Sequence, residues 1–500
     1  MFPINMRSHL IVSGRFADAL VQNGHEAHLL VPSNNHAAND LDPKVKVLSY
    51  PVVDDAPWIS SQEAATFEWD MVQLAETNFL GWVKYAVDTM GYIFSKLNED
   101  CEHLLANENM VKQLAKERYD LIVLDSMHVA FCSPMLAYKL DLPVVILGTT
   151  NNEWFYRLPH LSNMPSIVTE STDRMSFVER LKSFCIDVME HATLNQTTYY
   201  AEKYVPEKPP VTALDIDRQA LFIFGLYDPV AVFPRPLMPN AINIGDLMTR
   251  PGKPLSKEFE LLMNQTKNGV ILMSLGSLFQ YLPKEQNDRF CKAFHNIDPA
   301  VSIIWQTGIA PNCSLPPNVH IYRWVPQNDL LAHPNLRVFI THCGFNSYME
   351  AAYHAKPIIA FPLSLDRPRY ATAMASKGMG IKMNIRTFTA HELSGNIELL
   401  LHNDTYKRAA EVVSLRMRAI QVPVDKRISF WVEQVLSLGA DHLRSGTFEL
   451  SLIEFLMLDV YFLVFICVLC FMFIGLLIGY HSLKFVIKLL SVPNFKVKCE

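Results

Sequence analysis

Short apolar runs rich in β-branched residues recur along the chain at 27–31, 119–125, 144–147, 269–274, 301–305, 320–323, 337–341 and 358–362. Continuous apolar runs of this length, bounded by turn residues, predict strands covered on both faces rather than one. The stretches between them carry helical spacing instead. Phe16, Ala17, Leu20 and Val21 fall on one helical face, and Gly24 stands where a C-terminal cap belongs. Phe2-Pro3-Ile4 reads as the stump of a first strand ahead of that helix. Strand, helix, strand, repeated, predicts a doubly wound parallel sheet. The alternation occurs twice, on either side of Thr249-Arg-Pro-Gly-Lys-Pro254, which reads as a linker. Residues 52–118, with Trp58, Trp69, Phe79 and Trp82, and residues 160–220 read as helices and loops added to the first half.

Near the C-terminus the pattern loses its polar positions. Residues 460–480 are uncharged and apolar for about 21 residues, about 31 Å as a helix, enough to cross a bilayer. Glu449, Glu454 and Asp459 precede this run, and Lys484, Lys488, Lys496 and Lys498 follow it. That asymmetry predicts a tail on the cytosolic side and the large domains on the other.

Length and composition set outer limits. Five hundred residues exceed one ordinary core, and with 50% hydrophobic and 19% charged residues disorder does not dominate. A net charge of -6 gives no electrostatic footprint for nucleic acid. The nine cysteines are scattered and decide neither zinc nor a disulfide framework.

The densest chemistry lies at 324–367. The predicted strand 337–341 leads through His342-Cys343-Gly344 into a segment of helical composition at 346–354. Strand, glycine turn and helix place free N–H groups and a dipole end where a phosphate can sit. Glu350 lies four residues after Asn346, one turn further along the same face. A nucleoside diphosphate fits, with diphosphate at Asn346 and Ser347 and ribose over Glu350. The alternative for Ser347-x-x-Glu350 is a capping box that needs no ligand. Trp324, Pro326 and Gln327 offer a flat apolar face beside an amide, suited to a base. Leu275-Gly276-Ser277 is a second turn able to meet phosphate, or only a strand-to-helix loop.

Taken together, Trp324, Pro326-Gln327, His342-x-Gly344, Asn346-Ser347, Glu350 and Asp366 resemble the donor-binding signature of the UDP-glycosyltransferases, which include the microsomal UDP-glucuronosyltransferases. The resemblance runs from His9 to the tail and is tightest at 324–367. It implies an α/β fold of two Rossmann-like domains facing across a cleft (GT-B type), plus one C-terminal transmembrane helix. The expected divisions are an acceptor domain at 1–245, a linker at 246–257 and a UDP-sugar domain at 258–448. A juxtamembrane segment at 449–459, the span at 460–480 and a basic tail at 481–500 complete them. The resemblance also assigns His9 as general base and Asp125, at a strand's carboxyl end, as the group that orients it. Without it, His9 would read as a loop histidine and Asp125 as a cap or turn residue. The donor site it implies is Ser277, Trp324, Gln327, His342, Gly344, Asn346, Ser347, Glu350, Asp366 and Arg367.

The implied reaction is inverting transfer of a glucuronosyl or glucosyl group from a UDP-sugar to a hydroxyl of a small lipophilic acceptor. No metal or other cofactor is expected, since Asp215-Ile-Asp217 is the nearest approach to a metal-holding pair and lacks the setting. Partners are the UDP-sugar, the acceptor and the membrane, with homo- or hetero-oligomers left open. Two departures stand out. Arg367 replaces the family's usual glutamine, which could favour a carboxylated sugar; the alternative is that it points to solvent and UDP-glucose is used. The start, Met1-Phe-Pro-Ile-Asn5, also has neither a basic n-region nor an apolar h-region, where the resemblance implies a secretion signal and most of the first strand ahead of Phe2.

The remaining expectations concern place. Lys496 and Lys498 resemble a dilysine retrieval signal of endoplasmic-reticulum membrane proteins, and Asn195, Asn264, Asn312 and Asn403 head glycan-acceptor tripeptides. A lumenal catalytic domain then needs roughly 20–40 further residues upstream that include an apolar segment. The alternative is a cytosolic domain behind a tail-like anchor. Two rival functions are weighed: a sugar-nucleotide binder without turnover, and an NAD-dependent dehydrogenase. No G-x-G-x-x-G follows an early strand to support the latter.

Overall fold

A computed structural model of the chain describes residues 1–4, 6–34, 41–52, 66, 69–71, 73–74, 79–126, 132–148, 156–159, 161–166, 169–193, 197–266, 268–276, 282–363, 365–420 and 422–491. They divide into two compact units, Met1–Arg444 and Ser445–Glu500.

The described residues of the larger unit form three parallel sheets. In its first half, β1 (His28–Pro32) pairs with β2 (Lys46–Tyr50), and β3 (Ile122–Asp125), β4 (Val144–Gly148), β5 (Phe222–Gly225) and β6 (Ala241–Asn243) form a four-stranded sheet in that order. The predicted strand stump lies between these sheets. Phe2 bridges Leu124 in parallel, its N–H donates to the Val123 carbonyl at 2.9 Å, and the Leu30 N–H donates to the Met1 carbonyl at 3.0 Å. The second half is one six-stranded sheet, ordered β12-β11-β10-β7-β8-β9. Its strands are β7 (Val270–Ser274), β8 (Ser302–Gln306), β9 (Val319–Tyr322), β10 (Leu336–Thr341), β11 (Ile358–Ala360) and β12 (Gly380–Lys382). Every residue of β1, β4, β5 and β7 is buried, as strands covered by helices on both faces must be. Trp305, Phe290, Phe294 and Phe361 fill one face of the second sheet.

Two helices differ from their predicted extent. Helix α1 (Arg7–Gln22) starts well before Phe16, so His9 sits in a helical first turn and not in a loop. Leu10, Ser13, Gly14, Ala17 and Val21 continue the buried stripe backward, and two small residues in it hid the period. A Cβ at Gly14 would meet Leu41 Cδ2 at 2.3 Å, so the glycine answers to close packing. In the second half, α2 (Phe345–Tyr353) follows β10 and α3 (Arg367–Ser376) follows β11. Helix α4 (Val424–Leu438) crosses back to the first half: Asn23 Nδ2 donates to the Asp425 carbonyl at 3.3 Å, and the Phe222 and Trp431 rings lie 5.3 Å apart.

Among the described residues, two disulfides join positions distant in sequence. Cys101 pairs with Cys132, 31 positions on, and Cys291 with Cys313, 22 positions on.

In the smaller unit, α5 (Leu458–Leu490) is long and apolar enough to cross a membrane, and its large side chains are exposed. It runs past the predicted end at Tyr480 through Lys484 and Lys488, because no glycine or proline interrupts 481–490. Lys496 and Lys498 lie outside the described residues.

Candidate functional site

The first half contributes an acid–base pair. Asp125 closes β3, where the backbone ends its ladder and frees the side chain to project from the sheet's carboxyl edge. Phe2, held beside Leu124, delivers the start of α1 above that edge. His9 Nδ1 then meets Asp125 Oδ2 at 2.7 Å, with the side chains 15% and 6% exposed. A carboxylate partner assigns the ring proton to Nδ1 and leaves the lone pair on Nε2. Burial disfavours the charged ring, yet the charge and hydrogen bond of Asp125 and the charge of Asp366 outweigh it, so the His9 pKa is raised.

The second half contributes a turn built around another histidine. Thr341 at the end of β10 pairs with Ser274 at the end of β7, so the two strand exits lie side by side. His342 follows directly and wedges between glycines of both exits. A Cβ on Gly276 would stand 2.7 Å from the imidazole, and one on Gly344 2.6 Å, so neither position has room for a side chain. Burial, then the Arg367 charge, pulls the His342 pKa down to about 3, against a hydrogen bond to the Ser274 backbone. The ring is neutral at any physiological pH. Cys343 next to it takes φ +60° and Leu365, just before Asp366, φ +62°. Each left-handed non-glycine residue costs on the order of 1–3 kcal/mol, strain of the kind that collects at functional turns.

Gly344 is the N-cap of α2, and no side chain caps it. The N–H groups of the first turn, where half-buried Asn346 sits, thus keep their capacity for an anion. The structure rejects the capping-box alternative, because Ser347 lies inside the helix. Gln327 Nε2 instead donates to Ser347 Oγ at 3.2 Å and to Glu350 Oε2 at 2.7 Å. Burial pushes the Glu350 carboxyl up to about 7, although the Gln327 bond favours its charged form. Trp324 presents its indole 53% exposed. Asp366 is the N-cap of α3, and Arg367, its first residue, is only 7% exposed, which corrects the expectation of a solvent-pointing arginine. Ser277 lies outside the described residues.

Interactions between the two halves tie these groups together. The Asp366 charge acts on His9 from the opposite half, and Tyr348 Oη of α2 donates to the Ala231 carbonyl at 2.5 Å. Asp215 is engaged elsewhere: its carboxylate accepts from the Thr212 N–H at 2.9 Å in a capping box. Sequence reasoning missed three features: the glycine packing on His342, the Asp366–His9 coupling and a contact of Arg7 described below. Only the last left a signal, an arginine two positions before the predicted base.

Comparison with known proteins bears on this geometry. The profile of the family described as "UDP-glucoronosyl and UDP-glucosyl transferase" matches residues 2–490. UDP-glucuronosyltransferase 2C1 of Oryctolagus cuniculus is 30% identical over 495 residues, covering 94% of this chain and 95% of the relative. UDP-glucuronosyltransferase 3A1 of Xenopus laevis is 31% identical over 405 residues, covering 77% and 76%. Among solved structures, spinosyn forosaminyltransferase SpnP superposes with a TM-score of 0.58 at 16% identity, over 87% of this chain and 98% of that one. Phytolacca americana UGT2, complexed with UDP-2fluoro-glucose and pterostilbene, superposes with a TM-score of 0.57 at 16% identity and the same coverage. The fold is that of the GT-B glycosyltransferases, and the apolar C-terminal helix fits a membrane-anchored protein. The chain belongs to the UDP-glucuronosyl and UDP-glucosyl transferase family and is a UDP-glycosyltransferase.

Proposed function

We propose that this enzyme, which transfers sugar from a UDP-sugar to an acceptor, moves a glucuronosyl or glucosyl group to a hydroxyl of a small lipophilic molecule with inversion at the anomeric carbon. The observation that carries the reading is the His9–Asp125 hydrogen bond at the mouth of the donor cleft. His9 Nε2 takes the acceptor's proton, and Asp125 holds the tautomer and stabilises the imidazolium. The acceptor oxygen bonds to the anomeric carbon while the bond to the UDP oxygen breaks on the opposite face. UDP leaves with the electron pair, and its charge is met by the N–H groups and dipole of α2. His342, neutral, contributes as a hydrogen-bonding group rather than as a cation. Trp324 takes the base, and Glu350 with Gln327 the ribose.

A binder without turnover is the weaker reading, since a pure binder has no use for an oriented histidine with a raised pKa. For location, we propose the endoplasmic-reticulum membrane with a lumenal catalytic region and a cytosolic tail. The disulfides Cys101–Cys132 and Cys291–Cys313 support an oxidising compartment.

A donor screen in membranes tests the reaction. UDP-glucose and UDP-glucuronate are offered with pterostilbene as the phenolic probe, and the product's anomeric configuration is read by NMR. Transfer with inversion by wild type and its loss in His9→Ala is the expected result. Retention, or equal turnover in the variant, defeats the mechanism. Protease protection of microsomes tests the topology; digestion of 1–450 with membranes intact defeats the lumenal assignment.

A further inference from the structure

The first turn of α1 meets the opposite half in two ways, by a charge effect and by a contact. The Asp366 charge reaches His9. Two residues earlier, the guanidinium carbon of Arg7 lies 4.3 Å from the ring centroid of Trp324, a stacked cation–π contact. Arg7 is the first residue of the helix that bears His9, and Trp324 stands two residues before Pro326, the N-cap of the helix that presents Gln327. The indole remains 53% exposed with the arginine in place, so a second planar partner can still reach it.

We propose that Arg7 is a positioning residue for the donor: it clasps one face of Trp324 while the uracil packs on the other, and so draws the helix of His9 onto the loaded donor. The proposal rests on the assignment of Trp324 to the base. The guanidinium suits this place because it is flat, charged at every working pH and stacks on aromatic faces as an ammonium does not. The contact joins the platform for the base to the turn that carries the general base. Donor occupancy and the placing of His9 are therefore coupled through one side chain. An exposed cation–π contact alters affinity by about twofold to fivefold, which sets the expected size.

The test uses the full chain in detergent. UDP binding is measured by calorimetry, and the kinetics with UDP-glucose are split into KM and kcat. Arg7→Ala should raise the UDP-glucose KM about twofold to fivefold and weaken UDP to match, with the melting temperature without UDP unchanged. Arg7→Lys, which keeps the charge but not the flat stack, should fall between, and it carries the test if Arg7→Ala lowers the melting temperature. Unchanged KM in these variants overturns the proposal. So does tighter UDP binding, since the arginine would then cover the face the base needs. Trp324→Ala separates the two levels. If it leaves UDP affinity intact, the base assignment fails; if it weakens UDP while the Arg7 variants do not, only the clasp fails.

Discussion

Two histidines face the same cleft from opposite halves, and their surroundings push them apart. His9 is bonded to one carboxylate and within the field of a second, so its pKa rises. His342 is packed between two glycines beside an arginine, so its pKa falls to about 3. The residue type is the same; the neighbours decide the chemistry. An imidazole whose pKa is raised by carboxylate neighbours can take and return a proton, whereas a ring that stays neutral can only donate or accept a hydrogen bond. In the proposed reaction the His9 side of the cleft would handle the proton and the His342 side the departing anion.

The sharpest break in that contrast is expected at His9. His9→Ala and Asp125→Asn should each lower transfer by about 10² to 10⁴ with UDP affinity retained, read by steady-state rates beside calorimetry. A loss of UDP affinity equal to the loss of rate would mean that His9 belongs to the donor side after all.

Glu350 tests the other side. Glu350→Ala should weaken UDP by roughly 1–3 kcal/mol, because buried hydroxyls and Gln327 lose their charged acceptor. Calorimetry on the folded variant reads this directly, and wild-type affinity would remove Glu350 from the ribose site.

The pH profile separates the halves a third way. A base must be neutral to act, so kcat should fall as pH drops through the His9 pKa, which lies above the ordinary 6.5. Asp125→Asn removes a raising charge and should shift that limb to lower pH. Ribose hydroxyls donate to a carboxylate and so favour ionised Glu350, whose pKa in the free protein is about 7. UDP-glucose affinity should therefore strengthen as pH rises through about 7 and become flat in Glu350→Gln. A flat wild-type profile would show that the ribose does not meet this carboxylate.

The smallest effect is expected at Arg367. Arg367→Gln should relieve the depression of His342 in part, followed by NMR titration of its ring, and lower the ratio of UDP-glucuronate to UDP-glucose use. An unmoved donor ratio ends the idea that this arginine meets a sugar carboxylate.

The strands were legible because each is a short, continuous apolar run, and Thr341 and Ser274 fall at the ends the pattern indicates. The donor motif was legible because 324–350 keeps its groups close in sequence. What the sequence hid was relational. The start of α1 was masked by Ser13 and Gly14 in its apolar stripe. Ser347 matched a cap pattern, yet the cap position belongs to Gly344, three residues earlier. The disulfides depend on which distant segments pack together, and no local spacing reports that.

The return of α4 to the first half has a consequence for the order in which the protein is made. Asn23 meets Asp425 across 402 positions, and Lys426 and Ser429 also contact Asn23 and His25. A ribosome adding roughly 5–20 residues per second needs roughly 20–80 s to emit that interval. Through that time the first Rossmann-like half stands without its last helix, with the surface destined for Trp431 open. The half carrying His9 is thus started first and finished last, and a nascent chain must be shielded at that seam until the second half has emerged.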